Sequence, residues 1–462
     1  MAAIFAIVLL SRACTAQLVT TLAGGGPTGN ESGFQDGVGT AALFQAPGSA
    51  AISTANGKVY VGDANNNVLR AVSLDGMVTT IAGGGPNAPG SQDGVGTAAG
   101  LSEPFGAVTS PTWDKVYFSD RNNNKLRFCE PASGSACQVR TAVGGGASGS
   151  QSGSADGVGT AALFNDPIGI ATTTAGNFYV ADRFNNKLRF IIFHDDTYTV
   201  STLAGGGAGG TDPGSTDGLG TAALFLGPYA VACDAAGAFA YVADSGNHKV
   251  RVIEAASGVV ATLAGGGASG IQWGATDGFG TAALFDFPEG IALDEAGGIL
   301  YVADVVNHKL RAVTLAGVVT TLAGGGTGGR EPGSTDGYGT AALFSEPYGV
   351  SIGGGMLYVA DLINNKIRAV VLPTPTASPS PSPSPTATPT PSAPPSGTPR
   401  QPPAAAAPAS AAPAIAGACV GALVLAGVAF ALGVRIGEAR QQRRGGPSKI
   451  DAAPLLFAAS GE

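Results

Sequence analysis

The chain has 462 residues, of which 73 are Gly and 30 are Pro, and only 12% are charged. The glycines follow no three-residue period, which excludes collagen, and 44% hydrophobic residues suffice for a core, which excludes general disorder. Residues 17–372 carry 29 acidic and 17 basic side chains, a net charge of −12. Such an acidic surface repels phosphate backbones, so the sequence predicts no nucleic-acid partner.

Residues 1–16 predict a secretory signal peptide. An apolar run at residues 2–10 is followed by small residues up to Ala16, which is the layout of a cleaved signal, although Lys and Arg are missing from its start. The alternative is the buried beginning of a soluble chain.

Residues 17–372 contain six copies of one unit. Each copy has an Asp at the end of a Tyr-Val-Ala-Asp-like segment, an Asn three residues later and an Arg seven residues later. The Asp residues are Asp63, Asp120, Asp182, Asp244, Asp304 and Asp361. The Arg residues are Arg70, Arg127, Arg189, Arg251, Arg311 and Arg368. Because these residues recur in all six units, we expect them to stabilise the fold, through turn hydrogen bonds and ion pairs.

Each unit predicts four short strands separated by Gly-rich turns. In the fifth unit these strands are Gly290–Leu293, Ile299–Ala303, Lys309–Val313 and Val318–Leu322. Four-stranded units in six copies predict an all-β fold, a six-bladed β-propeller. The sixth unit ends at Val371 without a fourth strand, and Leu18–Gly26 is a copy of that strand. We therefore expect the N-terminal strand to close the ring.

The segment Tyr-Val-Ala-Asp, two variable residues and Asn-His-Lys-Leu-Arg resembles the NHL repeat. It stands almost unchanged at Tyr241–Arg251 and Tyr301–Arg311, and the resemblance covers roughly residues 18–372. One departure is the long Gly-rich insertion before the first strand of each unit. The resemblance implies a propeller that serves as a recognition platform.

The C-terminal part predicts a membrane anchor. Residues 373–413 contain 15 prolines and form an extended Pro/Ser/Thr-rich stalk, residues 414–434 are long and apolar enough for one transmembrane helix, and residues 435–462 form a basic cytoplasmic tail. This predicts a single-pass protein of the plasma membrane or cell surface with its N-terminus outside. Gly417 and Gly421 form one GxxxG, a weak dimerisation signal or an incidental pair in a Gly-rich span.

Candidate binding residues lie where the near-identical repeats differ. One such position follows a repeated Pro, and two others lie in the turn after each repeated Asp. Because strand 2–3 turns and the insertions emerge on the same face, we expect these residues to meet on a loop-rich face. Apolar turn residues there indicate either an interaction surface or local turn packing. The candidates are Phe105, Arg121, Arg183, Tyr229, Glu289, Val305, Val306, Tyr348, Leu362 and Ile363.

Other chemistry is sparse. Cys129 and Cys137 flank the strand 3–4 hairpin of the second unit and predict a disulfide, and Asn30 begins an N-glycosylation triplet. His248 and His308 occupy a slot that holds Asn in the other units, so we interpret them as turn residues rather than metal ligands. No cofactor and no metal site are predicted, since carboxylates are too few in any one insertion for calcium.

We expect a non-enzymatic recognition or adhesion protein that binds an extracellular protein or glycan on the loop-rich face. One alternative is a propeller enzyme, since some similar propellers are metal-dependent lyases or hydrolases. Those enzymes need converging His and carboxylate side chains, which this sequence does not visibly supply. Another alternative is a structural glycoprotein of the cell surface or wall.

Overall fold

Short strands rich in β-branched residues fill the computed structural model, which describes residues 17–111, 115–131 and 136–373. The predicted signal peptide, the stalk beyond residue 373, the membrane span 414–434 and the tail 435–462 lie outside these residues. Within the described residues, no helix has the length and apolar character needed to cross a membrane.

The described strands form six antiparallel sheets, one for each repeat, and these sheets are the blades of a six-bladed propeller. The all-β prediction is confirmed. The first strands are Ala51–Ser53, Pro104–Thr109, Pro167–Thr172, Pro228–Cys233, Pro288–Asp294 and Pro347–Gly353. The second strands are Lys58–Asp63, Val116–Asp120, Phe178–Asp182, Phe239–Asp244, Ile299–Asp304 and Met356–Asp361. The third strands are Val68–Ser73, Lys125–Pro131, Lys187–His194, Lys249–Glu254, Lys309–Thr314 and Lys366–Val371. The fourth strands are Met77–Ala82, Cys137–Gly144, Thr197–Gly205, Val259–Gly265, Val318–Gly324 and Leu18–Gly24.

Each sheet also has a fifth, outermost strand of two residues, which the sequence analysis did not predict. It comes from the Asp-Gly-x-Gly-Thr segment and pairs with the fourth strand. The outer strands are Gly37–Val38, Gly94–Val95, Gly157–Val158, Gly218–Leu219, Gly278–Phe279 and Gly337–Tyr338. A 3-10 turn follows each of them, at Gly39–Ala41, Gly96–Ala98, Gly159–Ala161, Gly220–Ala222, Gly280–Ala282 and Gly339–Ala341. Four strand 2–3 turns are also 3-10 turns, at Ala64–Asn66, Arg121–Asn123, Arg183–Asn185 and Ser245–Asn247.

The sixth blade combines strands from both ends of the described chain. Leu18–Gly24 lies between Lys366–Val371 and Gly337–Tyr338, with Val19 opposite Val370 and Gly24 opposite Lys366. The N-terminal segment thus occupies the fourth-strand position that the sixth repeat lacks.

A buried polar network connects strands and insertion in every blade. In the first blade, Nη1 of Arg70 donates to Oδ2 of Asp63 at 2.7 Å and Nη2 donates to Oδ1 of Asp36 at 2.7 Å. Nδ2 of Asn66 donates to the same Asp63 carboxylate at 2.8 Å. Asp36 also accepts hydrogen bonds from the backbone N–H and the hydroxyl of Thr80 in the fourth strand. The predicted architectural role of these repeated residues follows from this geometry.

The same network recurs in the other five blades with nearly the same distances. The distance from each Arg Nη1 to the second-strand Asp lies between 2.5 and 2.7 Å, and the guanidinium of each Arg is buried. In the sixth blade, Thr21 of the N-terminal strand supplies the Thr partner of Asp336. The hydrophobic core lies between adjacent blades, and a buried Phe such as Phe225 packs there beneath an Arg guanidinium.

Cys129 and Cys137 form a disulfide across the third and fourth strands of the second blade. Cys233 is partly buried, and its thiol contacts the carbonyl of Thr172. Burial raises the pKa of the Cys233 thiol to about 12, so the thiol stays protonated near neutral pH and is unreactive. Asn30 is exposed in the first insertion.

Candidate functional site

The first strands of the six blades surround a central channel, and the residue after each repeated Pro lies at one end of it. Blades 2, 4 and 6 contribute aromatic rings at this position, whereas blades 1, 3 and 5 contribute other residue types. The six residues are Gly48, Phe105, Ile168, Tyr229, Glu289 and Tyr348.

Three aromatic rings close the channel at this end. The ring centroids of Phe105 and Tyr229 are 5.8 Å apart, those of Phe105 and Tyr348 are 5.9 Å apart, and those of Tyr229 and Tyr348 are 5.6 Å apart. All three pairs meet edge to face, the geometry that ring quadrupoles favour. Gly48 makes room for this triad, since an added Cβ would lie 2.7 Å from the Phe105 ring.

The triad forms the floor of a cavity of about 220 Å³, which we call the mouth cavity. Its walls come from the strand 2–3 turns, the residues before the repeated Pro and the Glu289 carboxyl. The lining residues are Ala46, Ala64, Asn65, Glu103, Phe105, Arg121, Arg183, Tyr229, Glu289, Tyr348 and Leu362. The structure therefore brings seven of the ten candidates together, from blades 2 to 6.

The other three candidates do not line this cavity. Val305 is 2% exposed, and the equivalent residue of the first blade, Ala64, is buried as well. For Val305 this burial favours local turn packing over an interaction surface. Val306 and Ile363 are exposed, at 37% and 51%, in the next turn position.

The aromatic candidates lie deeper in the protein than the exposed turn residues Val306 and Ile363. Phe105 and Tyr229 are only 5% and 6% exposed, because they pack against each other and Ile168 in a small apolar cluster. Tyr348 and Leu362 are partly buried at its edge. Only part of each ring therefore faces the cavity.

Two arginines form one wall of the mouth cavity, and acidic residues hold them in place. Arg121 and Arg183 both donate to the carboxylate of Asp166, Arg183 at 2.9 Å, and Arg121 also donates to Glu103 at 3.2 Å. Their guanidinium groups lie 5.6 Å from the Phe105 centroid and 5.3 Å from the Tyr229 centroid. The charges of this wall are therefore balanced, and both cations cover aromatic faces.

Glu289 lies across the cavity from the arginines and is 7% exposed. Its Oε1 accepts a hydrogen bond from the Ser245 hydroxyl at 3.3 Å, and the Tyr348 hydroxyl also bonds to this carboxyl. No residue in the described part of the chain bonds to Oε2, which is buried. Burial raises the pKa of Glu289 to about 8, although the nearby Arg183 lowers it. This carboxyl is therefore largely neutral at pH 7.

Sequence reasoning missed the residue before each repeated Pro. In every blade it has a positive φ, between 50° and 59°, a conformation that non-Gly residues rarely adopt and that often occurs at functional sites. Glu103 and Asp166 are two of these residues. A usable signal was present, because five residue types occupy this position in the six repeats: Ala46, Glu103, Asp166, Gly227, Phe287 and Glu346.

Hydrogen bonds from the preceding blade hold these residues. The side chain at the end of each strand 2–3 turn accepts a bond from the backbone N–H of the residue before the next Pro. In the same way, Nδ1 of His248 accepts a hydrogen bond from the backbone N–H of Phe287. Nδ1 of His308 accepts one from the backbone N–H of Glu346, and both distances are 3.1 Å. Both histidines thus take the role of the Asn residues in the other blades. Among the described residues, no three His, Cys, Asp or Glu side chains cluster as a metal site would require.

Comparison with known proteins agrees with this architecture. Residues 285–312 match the family model described as NHL repeat. The chain thus contains a segment that matches the NHL repeat, and it is similar to proteins that carry such repeats. It is 29% identical over 320 residues to NHL repeat-containing protein 2 of Gallus gallus, which covers 63% of this chain and 41% of that protein. It is 30% identical over 297 residues to protein SUPPRESSOR OF QUENCHING 1, chloroplastic, of Arabidopsis thaliana, which covers 62% of this chain and 26% of that protein.

The chain thus spans less than half the length of these curated relatives. Among solved structures, an auxiliary nutrient binding protein from Bacteroides thetaiotaomicron superimposes with a TM-score of 0.56 at 17% identity, covering 77% of this chain and 76% of that one. At this level of identity the likeness concerns the fold.

Proposed function

We propose that this NHL propeller is a non-enzymatic recognition protein that binds an extracellular protein or glycan ligand at the channel mouth. The observation that carries the proposal is the mouth cavity itself. Seven residues chosen because they vary among the repeats line one concave site, above a scaffold whose repeated residues are nearly invariant from blade to blade. Loops over a rigid scaffold are where binding residues concentrate.

An apolar rim around the cavity supports the same function. It consists of large apolar side chains that are between 37% and 54% exposed and lie at the ends of the insertions or in the strand 2–3 turns: Phe184, Leu226, Phe287, Val306 and Ile363. Large apolar side chains grouped on one exposed face are typical of interaction surfaces. The rim covers blades 3 to 6, whereas blades 1 and 2 have Asn65 and Asn122 in the corresponding turn position.

The proposal includes presentation at the cell surface. In it, the signal peptide 1–16 directs secretion, the stalk 373–413 separates the propeller from the bilayer and the span 414–434 anchors the chain. Asn30 would carry a glycan, and Gly417 with Gly421 would support weak pairing of two spans. Tagging both ends of the full-length chain and probing intact cells tests this topology, because only the N-terminal side should react from outside.

The test of binding is a screen of the full-length chain against extracellular proteins and glycans, followed by paired variants. Tyr348→Ala with Leu362→Ala removes one floor ring and one wall residue of the mouth cavity. We expect at least a 10-fold loss of affinity, because partly buried aromatic and aliphatic residues at the centre of a site contribute most of the binding energy. The melting temperature should change little, since both side chains are only partly buried.

The matched control is Tyr338→Ala with Leu315→Ala. Both residues are exposed, at 61% and 42%, and both lie outside the cavity. Normal binding by the cavity pair and weakened binding by the control pair would contradict the proposal. A product formed from the bound ligand would instead favour the enzyme alternative.

A further inference from the structure

We propose that the mouth cavity binds a single ring of a neutral, hydroxyl-rich sugar, so that the ligand is a carbohydrate with an exposed pyranose residue. This inference rests on the proposed recognition function and names the ligand class of that site. It is carried by three observations: the balance of charges in the walls, the unpartnered Oε2 of Glu289 and the size of the cavity.

The charge balance argues against an ionic ligand. Arg121 and Arg183 are already paired with Asp166 and Glu103, so an anion finds two cations that are neutralised by neighbouring carboxylates. A cation fares no better, because the same arginines lie over Phe105 and Tyr229, the aromatic faces that would otherwise attract it. A neutral ligand meets neither obstacle.

The polar groups that remain suit hydroxyl groups. Arg183 bonds to Asp166 through Nη1, and about 29% of its side chain stays exposed, so its other N–H groups can donate into the cavity. Glu289 lines the cavity as well, and its Oε2 is buried without a hydrogen-bond partner, so a rotation of the carboxyl would present it to a ligand. A hydroxyl group both donates and accepts, so adjacent hydroxyls of one ring can bond to an arginine and to this carboxyl, whichever protonation state the carboxyl has.

The volume of the mouth cavity limits the bound part of the ligand to one sugar ring. A cavity of about 220 Å³ holds roughly seven water molecules at ~30 Å³ each, which is room for one pyranose and not for two. The floor of Phe105, Tyr229 and Tyr348 gives the apolar C–H groups of such a ring a hydrophobic contact. An apolar floor with a few placed polar groups is the usual composition of a small-molecule site.

The experiment measures binding of the purified full-length chain to separate probes. These are the neutral methyl pyranosides of glucose, galactose, mannose and xylose, the acidic sugars glucuronic and galacturonic acid, and short peptides rich in Lys or in Glu. We expect at least one neutral pyranoside to bind at millimolar concentration or tighter, and the peptides not to compete with it.

Glu289→Met tests the site directly, because Met has a similar volume and cannot form hydrogen bonds. We expect it to weaken pyranoside binding about 10-fold or more, since a hydrogen bond to a buried charged or polar group is lost. Arg183→Met, which leaves Arg121 to hold Asp166, should have a similar effect and decides the matter if Glu289→Met does not fold. Glu254→Met replaces an exposed Glu outside the cavity and should bind normally.

The inference is overturned if no neutral pyranoside binds, or if one binds with equal affinity to the wild type, Glu289→Met and Arg183→Met. Binding of peptides or acidic sugars alone overturns it too. In that case sensitivity to Tyr348→Ala with Leu362→Ala shows that the mouth still recognises a ligand, so failure of the sugar inference and failure of the proposed function remain distinguishable.

Discussion

The buried Asp–Arg network and the channel mouth lie only a few residues apart in the chain and follow opposite rules. In every blade the network has the same residues, the same partners and nearly the same distances, for example Arg251 with Asp244 and Asp217. At the mouth, equivalent positions hold different residue types, such as Tyr229 in the fourth blade and Glu289 in the fifth. The repeated residues thus stabilise the ring of blades, and the variable residues form the surface that is available for binding a ligand.

The largest effect should come from removing the N-terminal strand, which supplies the Thr partner of the network in the sixth blade. A chain that starts after Gly26 loses the fourth strand of the sixth blade and both hydrogen bonds from Thr21 to Asp336. It leaves the third strand unpaired along one edge, so we expect loss of cooperative unfolding and aggregation. A chain that starts at Gln17 is the control. If the two chains melt alike in calorimetry, the N-terminal strand is not required.

A single network residue should have the next largest effect. Arg251→Leu leaves Asp244 buried without its cation, and removal of one partner of a buried ion pair costs about 3–5 kcal/mol of unfolding free energy. Arg140→Leu, at a side chain that is 60% exposed, should cost less than about 0.5 kcal/mol. Urea unfolding of both variants measures the difference. Equal values would mean that the network does not stabilise the fold.

Glu289 at the mouth should add a pH dependence of its own to the stability of the protein. Because burial raises the pKa of Glu289 to about 8 from an unfolded value near 4.5, the folded state holds this proton more tightly. Its contribution to stability is full below pH 4.5 and declines as the pH rises to about 8, by at most about 1.4 kcal/mol per pH unit.

Glu289→Gln cannot titrate, so the difference in unfolding free energy between this variant and the wild type should change over that range. Glu254→Gln, at an exposed position, should follow the wild-type curve at every pH. A constant difference for Glu289→Gln would show that this carboxyl is ionised in the folded protein.

The smallest expected effect comes from exchanging repeat variants. His248→Asn with His308→Asn restores the residue found in the other four blades, so stability at pH 8 should change by less than about 1 kcal/mol. Burial lowers the pKa of both histidines, so wild-type stability falls as the pH drops below about 6.5, when the unfolded histidines take up protons. The double variant should lose this acid sensitivity in thermal melts. A large loss of stability at pH 8 would assign the histidines another role.

Much of the fold can be predicted from the sequence because the repeat supplies the same information six times. In the fifth blade the predicted strand Ile299–Ala303 is one residue shorter than the observed Ile299–Asp304. The outer strands escaped prediction, since two residues such as Gly278 and Phe279 carry no alternation, and their pairing depends on how the insertion folds back.

The site was predictable in part. Comparing repeats found Phe105, Arg121 and Glu289, because a position that varies within an invariant frame is visible in the sequence. This comparison could not reveal how deeply a side chain is buried, as Tyr229 and Val305 are. Burial of these side chains depends on contacts between blades that are about 60 residues or more apart, such as the Phe105–Tyr229 pair.

The pairing of the N-terminal strand fixes where the chain enters and leaves the propeller. Gly24 lies opposite Lys366, directly after a turn at the mouth, whereas Leu18 and Val371 lie at the far ends of these two neighbouring strands. Leu18 and Val371 therefore lie side by side on the face of the propeller opposite the cavity. A carrier protein, a label or a solid support attached next to Leu18 or Val371 would therefore leave the mouth cavity accessible.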